Sequence, residues 1–309
     1  MHLLLTGGAG FIGSTLLERL LPSHSVTVLD DFNDYYDPAI KRANLKGTKA
    51  AIVEGDLRDP AVLAKAFSPA PDAVVHLAAR AGVRPSIADP ELYSSVNVAG
   101  TLALLEQCRK RGVKKFVFAS SSSIYGDAPR LPCKEDDPVS PIAPYGATKL
   151  LGEHYLRVYS RLFGIRGTAL RFFTVYGPRQ RPDMAFHAFA KKILKGEEIT
   201  VYGDGTMRRD FTYIDDTVSG ILGAIAKDDA FEIYNLGESR TVELREAIGL
   251  LEKNLGKTAK IRRQPPHPAD VKVSFADIAK ARAGIGYSPA VPIEEGIRRF
   301  VDWLRQPTR

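Results

Sequence analysis

Short apolar runs alternate with amphipathic stretches through the first half of the chain. Leu3 to Thr6, Val26 to Asp30, Ala51 to Glu54, Ala73 to Ala78, Lys115 to Ser120 and Thr168 to Phe173 are apolar on both faces and read as buried strands. The stretches between them carry helical periodicity. Strands with no polar face, each followed by a helix, predict an α/β chain: a Rossmann-like, doubly wound parallel sheet covered by helices on both sides.

After Phe173 the rhythm breaks. A Pro- and Arg-rich stretch, Gly177 to Asp183, precedes an expected helix from Met184 to Leu194 and a strand from Ile199 to Tyr202. Ile214 to Ala226 reads as a helix returning to the sheet, and Glu232 to Leu236 as a late strand. The expected organisation is therefore a nucleotide-binding domain over 1–173, rejoined by 210–237, and a smaller mixed α/β lobe over 174–209 and 238–309.

Composition narrows the class without deciding it. An apolar fraction of 44% and a charged fraction of 26% are those of an ordinary globular chain. No apolar run approaches the length of a membrane span, and the N-terminus lacks a signal-peptide pattern, so a cytoplasmic protein is expected. Cys108 and Cys133 are too few for a disulfide framework and read as plain thiols. The net charge of +7 comes from scattered Lys and Arg rather than a basic block, which argues against a nucleic-acid partner and is compatible with a phosphate-bearing small substrate. His267, alone among prolines, reads as a loop residue, and no metal site is expected.

The first strand runs into Gly7, Gly10, Phe11, Ile12 and Gly13 and then an amphipathic helix. Glycines there permit a tight turn and close backbone approach to a pyrophosphate, while the helix N-terminus offers N–H donors. Asp30, at the end of the second strand, stands where a carboxylate accepts from adenosine ribose hydroxyls and repels a 2′-phosphate, so NAD is the expected cofactor. Further on, Tyr145 and Lys149 are four residues apart at the start of a helix, an arrangement in which the ammonium is expected to lower the phenol's pKa. The serine run from Ser120 to Ser123 ends the fifth strand, where ligands of open α/β sheets sit, and a hydroxyl there can hold a reacting oxygen while Tyr145 takes its proton.

These features in this order, with His76-Leu77-Ala78-Ala79, Asn97 to Thr101, Leu170 to Phe173 and Arg209-Asp210-Phe211, resemble the extended short-chain dehydrogenase/reductase family in its nucleotide-sugar epimerase and dehydratase branch. The resemblance implies that Ser121, Tyr145 and Lys149 form the catalytic triad and that Asp56, Leu57, Leu77, Ala78, Ala79 and Asn97 join Phe11 and Ile12 around the cofactor. It also implies that Thr174, Arg181, Arg209 and Asp270 face the nucleotide sugar. Arg209 can grip a diphosphate in a fork that lysine cannot copy, with Arg208 beside it left to solvent. Dehydratases of this type need an Asp-Glu pair where this chain has Ser122 and Ser123, and the related decarboxylases carry a glutamate in place of Ser123. Epimerisation at C4 is what remains.

Leu29 to Asp37 and Arg181 to Ala185 are more similar to UDP-glucuronate 4-epimerases than to UDP-glucose ones, with UDP-glucose or UDP-N-acetylglucosamine as the alternative substrates. Ser122, Ser123, Thr174 and Arg181 suit a sugar carboxylate. A non-catalytic NAD-binding sensor is the rival of another class, and its usual mark, loss of the tyrosine or lysine, is absent. The resemblance further implies a homodimer, with helices Glu91 to Arg111 and Tyr145 to Phe163 pairing as a four-helix interface.

Overall fold

The computed structural model describes residues 1–306. Seven strands form one parallel sheet: β1 His2–Thr6, β2 Ser25–Asp30, β3 Ala51–Glu54, β4 Ala73–His76, β5 Lys115–Ser121, β6 Arg166–Phe172 and an edge strand, Phe231–Leu236. Their spatial order is edge strand, β6, β5, β4, β1, β2, β3. The order reverses between β1 and β4, which opens a crevice at the carboxyl ends of those two strands.

Helices cover both faces, so the inner strands are apolar on both, whereas β3, expected to be buried, is an edge strand that buries only Val53. In β1, Leu3 and Leu5 enter one hydrophobic core while Leu4 enters the other, as the alternation of side chains along a strand requires. The same division separates Val75 from Val74 and Val117 from Phe116. At 25 cal/mol per Å², fully burying one such leucine contributes about 1.5–3 kcal/mol.

Two of the expected elements are shorter or less regular than their sequence pattern. β4 stops at His76, and residues 77–81 leave the sheet as a loop along the crevice. The stretch from Glu91 to Arg111 is not one α-helix but a short helix, Pro90–Ser94, a π-helical turn, Ser95–Ala99, and a second helix, Gly100–Arg111. The insertion of a wider turn coincides with Asn97, a buried residue whose side chain bonds to the Arg80 backbone and to Thr148.

The second lobe is built from small pieces. Thr174–Tyr176 pairs with Phe211–Tyr213, Arg208–Arg209 lies between Val242–Glu243 and Val273–Ser274, and Glu198–Tyr202 pairs with Lys260–Gln264. Helices Ala185–Lys195, Leu244–Leu255 and Ile293–Arg305 pack on them. One hydrophobic core runs from Leu3 and Val28 of the sheet to Ile199, Leu251 and Phe300 of the lobe. Asp210 secures the junction. Fully buried, its carboxylate accepts from the backbone N–H groups of Glu238 (2.6 Å), Ser239 (3.1 Å) and Ala276 (3.1 Å), and burial still raises its pKa to about 6.

Candidate active site

A single cavity of about 910 Å³ follows the crevice from the glycine loop to the second lobe. At its floor, Gly7 has φ of +72° and its backbone passes so close to the loop after β4 that a Cβ would meet Ala78 N at 2.7 Å. Gly13 is tighter still: a Cβ there would lie 2.1 Å from Gly7 O, so only glycine lets helix Phe11–Leu20 start against the turn. That helix has Gly10 as N-cap and no side-chain cap, which leaves its first N–H groups directed at the cavity. Phe11 and Ile12 line the same wall.

Asp30 accepts from Ala9 N–H and Phe32 N–H, both at 3.0 Å, so one carboxylate braces the glycine turn and the loop after β2. Burial raises its pKa against those hydrogen bonds. Asp56 and Leu57 line the next section, and Arg58, paired with Asp56 at 2.5 Å, holds that carboxyl below its ordinary value. Leu77, Ala78 and Ala79 complete the wall. Beneath them His76 bridges the hydroxyls of Thr6 (2.7 Å) and Thr101 (2.9 Å) and is kept neutral, its pKa pulled by burial down to about 3.

Asn97 is the exception among the residues expected to touch the cofactor. It does not line the cavity. Its amide accepts from Arg80 N–H (2.8 Å) and donates to Arg80 O and Thr148 Oγ1 (3.0 Å each), fastening the loop after β4 to the helix that carries Tyr145.

That helix is Pro144–Phe163, and it places Tyr145 and Lys149 on one face beside the end of β5. Ser121 closes the group: its hydroxyl accepts from Ser123 N–H (3.2 Å) and from Ser123 Oγ (2.9 Å), and it stands near enough to Tyr145 to pull the phenol's pKa down. Ser122 and Ser123 form a single 3₁₀ turn, Ser122–Ile124, and both line the cavity.

The electrostatics depart from the expected picture. Tyr145 is raised, not lowered, because burial outweighs the Ser121 hydroxyl and the Arg181 charge that pull the other way. Lys149 does not offset this. Its ammonium stands 5.9 Å from the Tyr145 ring centre, donates to Ala119 O at 2.8 Å, and is itself lowered by burial to about 7.

The second lobe supplies the opposite wall. Thr174, Arg181, Arg209 and Asp270 all face the cavity. Arg209 donates to the carbonyls of Arg208 (3.0 Å) and Lys272 (3.3 Å), and burial lowers its pKa. Asp270 accepts from Arg84 at 2.6 Å, a residue of the other half that also lies 3.8 Å above the Tyr202 ring. Arg208 is partly exposed, as expected, and also pairs with Glu243 at 3.2 Å and donates to Thr241 Oγ1 at 2.8 Å.

Sequence reasoning gave no role to Tyr35, Tyr36, Lys41, Arg84, Asp183 and Tyr202, all of which line the cavity. For Lys41 a signal existed: Asp37 caps helix Pro38–Asn44 by accepting from Ala39 N–H at 2.9 Å, and that helix turns Lys41 inward to Asn33 O at 2.9 Å. Arg84 and Tyr202 carried none, since their meeting depends on how the lobes face each other.

A glycine turn on a helix N-terminus, a strand-end aspartate, and a serine, tyrosine and lysine at the carboxyl edge of a parallel sheet define a dinucleotide-dependent enzyme of the short-chain type. The chain belongs to the NAD dependent epimerase/dehydratase family, whose model matches residues 3–237. It is 42% identical over 314 residues to a UDP-glucuronate 4-epimerase of Thermodesulfobacterium geofontis, across 99% of this chain and 96% of that protein. UDP-glucuronate 4-epimerase 5 of Arabidopsis thaliana is also 42% identical, across 98% of this chain and 75% of its own. Among solved structures, the UDP-glucuronic acid 4-epimerase of Bacillus cereus in complex with UDP-glucuronic acid and NAD is 38% identical with a TM-score of 0.94, over 99% of both chains. The UDP-glucose 4-epimerase of Thermotoga maritima with UDP-glucose is 36% identical with a TM-score of 0.93, again over 99% of both. NAD is the cofactor of the family, and the glycine turn, Asp30 and the uncapped helix fit it.

Proposed function

We propose that the chain is an NAD-dependent UDP-sugar 4-epimerase acting on UDP-glucuronate to give UDP-galacturonate. The observation that carries this is one cavity in which Ser121, Tyr145 and Lys149 face Arg181 and Arg209 across the sugar's place. Residues 1–173 and 210–237 hold NAD, and 174–209 with 238–309 hold the nucleotide sugar. NAD, when bound, takes a hydride from the sugar carbon and gives it back.

The chain's own residues manage protons, charge and orientation. With Tyr145 as the phenolate, its Oη accepts the C4 hydroxyl proton while Ser121 Oγ holds the same oxygen, and after the sugar has turned over, the Tyr145 phenol returns that proton on the other face and is a phenolate again. Lys149 orients the nicotinamide ribose. Because burial raises the phenol, positive charge near it matters: Arg181 already lowers it. Arg209 grips the diphosphate, Asp270 accepts from the uridine ribose once Arg84 lets go, and Ser122, Ser123, Thr174 and Arg181 hold the sugar carboxylate. The 3₁₀ turn Ser122–Ile124 brings hydroxyls and no carboxylate to C4, which supports epimerisation over elimination.

UDP-glucose is the second substrate to test, because the Thermotoga enzyme is nearly as similar as the Bacillus one. Incubation with UDP-glucuronate, UDP-glucose and UDP-N-acetylglucosamine in turn, with products resolved by chromatography, tests the reading. The C4 epimer of UDP-glucuronate is expected as the main product; none with that sugar overturns it.

Helix Pro144–Phe163 leaves Leu151, Val158 and Leu162 exposed, the last at 65%, and their spacing puts them on one face. Tyr159 on the same helix donates to Glu106 of Gly100–Arg111 at 2.6 Å, tying the two helices into one surface. This supports a homodimer through those helices. Leu162→Lys is expected to yield monomers on sedimentation. No helix among the described residues is long and apolar enough to cross a membrane, and a cytoplasmic location accords with a nucleotide-sugar substrate.

A further inference from the structure

Arg181 is already occupied. Its Nε donates to Asp183 Oδ1 at 3.0 Å and its Nη2 to Asp183 Oδ2 at 2.8 Å, a bidentate pair inside the cavity. A tight turn creates this pairing: Met184 N–H donates to Arg181 O at 3.1 Å, with Pro182 between, so the two side chains leave the chain on one side. The guanidinium is further fixed above the Tyr35 ring, 5.2 Å from its centre. Tyr35 belongs to the loop after β2, so the pair is held between both halves of the cleft.

The partners are unequally free. The Arg181 side chain is 19% exposed and bounded by the ring, whereas that of Asp183 is 37% exposed and borders water. A carboxylate arriving on a sugar seeks the N–H edge that Asp183 now fills. Asp183 is the partner with somewhere to go.

Resting on the reading of the substrate as a uronate, we propose that Asp183 sets sugar specificity by competing with the substrate carboxylate for Arg181. With a neutral sugar the internal pair persists and Arg181 costs nothing in unpaired charge. With a uronate the substrate carboxylate replaces Asp183, which turns to solvent. Asp183 thereby narrows the affinity gap between charged and neutral sugars and eases release of a charged product.

Calorimetric titration of the NAD-loaded enzyme with UDP-glucuronate, UDP-glucose and UDP tests this in Asp183→Asn, Asp183→Glu and Arg181→Gln. A pair this exposed is worth little, so Asp183→Asn is expected to tighten UDP-glucuronate binding by roughly two- to fivefold. UDP-glucose and UDP should change less, and Asp183→Glu should restore the original ratio. Unchanged or weaker UDP-glucuronate binding in Asp183→Asn, or equal tightening of all three ligands, overturns the competition. The uronate reading fails separately, if Arg181→Gln leaves UDP-glucuronate binding as it was. Retained UDP affinity shows in each case that the site is folded.

Discussion

Two cavity cations without a carboxylate ion pair among the described residues, one in each half of the cleft, differ in kind. In the cofactor half it is Lys149, held by the carbonyl of Ala119 and drawn by burial to about 7. In the substrate half it is Arg209, held by the carbonyls of Arg208 and Lys272. A lysine can shed its proton when buried, whereas a guanidinium cannot. Lys149 is thus suited to hydroxyl groups beside a reaction that moves protons, and Arg209 to a ligand bearing permanent negative charge. Of the other cavity arginines, Arg84 and Arg181 are paired with Asp270 and Asp183.

The largest expected effect tests the cofactor half as the seat of chemistry. Tyr145→Phe should lower turnover by about 10²–10⁴-fold, the usual worth of a positioned acid–base group. Bound NAD, measured by its absorbance after denaturation, should be unchanged. Loss of NAD together with activity would show instead that the ring is part of the cofactor's seat.

The next effect concerns what holds that half rigid. Arg171 on β6 makes a fully buried bidentate pair with Glu153 (2.9 Å each), one turn beyond Lys149, and Ser120 donates to the same carboxylate at 2.5 Å. Glu153→Ala leaves a buried guanidinium uncompensated and should cost about 3–5 kcal/mol in denaturant unfolding. A smaller loss would mean that Tyr125 and Glu135 O, which also accept from Arg171, suffice to hold it.

The halves also differ in how far their residues could be read beforehand. The placement of Gly7, Gly13, Asp30, Tyr145 and Lys149 around the cavity was legible because it depends on backbone position: a turn, a strand end, one helical turn of separation. The edge strand Phe231–Leu236 was legible from its apolar run alone. In the substrate half, strands such as Arg208–Arg209 and Val273–Ser274 are too short to leave a periodic trace. Its contacts join residues far apart in sequence, as Arg84 with Asp270, so no local pattern foretells them. Asn97 differs for another reason: the resemblance set it beside the cofactor, and its amide, carried on a π-helical turn, bonds to Arg80 and Thr148. The phenol's pKa failed because charge proximity is visible in a sequence and desolvation is not.

For the substrate half, Arg209→Lys preserves charge and removes the fork. UDP affinity should fall about tenfold, the worth of one charge-assisted hydrogen bond, with kcat largely retained. Equal affinity would show that Arg209 supplies only net charge.

The last test separates the two cations directly, through pH. Lys149 has a folded pKa of about 7 against an ordinary value of 10.5. Between these the unfolded chain binds the proton and the folded chain does not, so stability rises with pH across that window. Below about pH 7 both states are protonated and the penalty of burying the ammonium is present in full. Lys149→Met removes this term. In the cofactor-free protein, the stability of Lys149→Met relative to the native sequence should therefore be greatest near about pH 6 and decline as pH rises through 7 toward 10, whatever constant offset the lost bond to Ala119 O adds. Arg209→Met should show no such slope, because its guanidinium stays charged throughout. Parallel pH profiles for the native chain and Lys149→Met would mean that solvent reaches Lys149, and the contrast between the two halves would reduce to geometry alone.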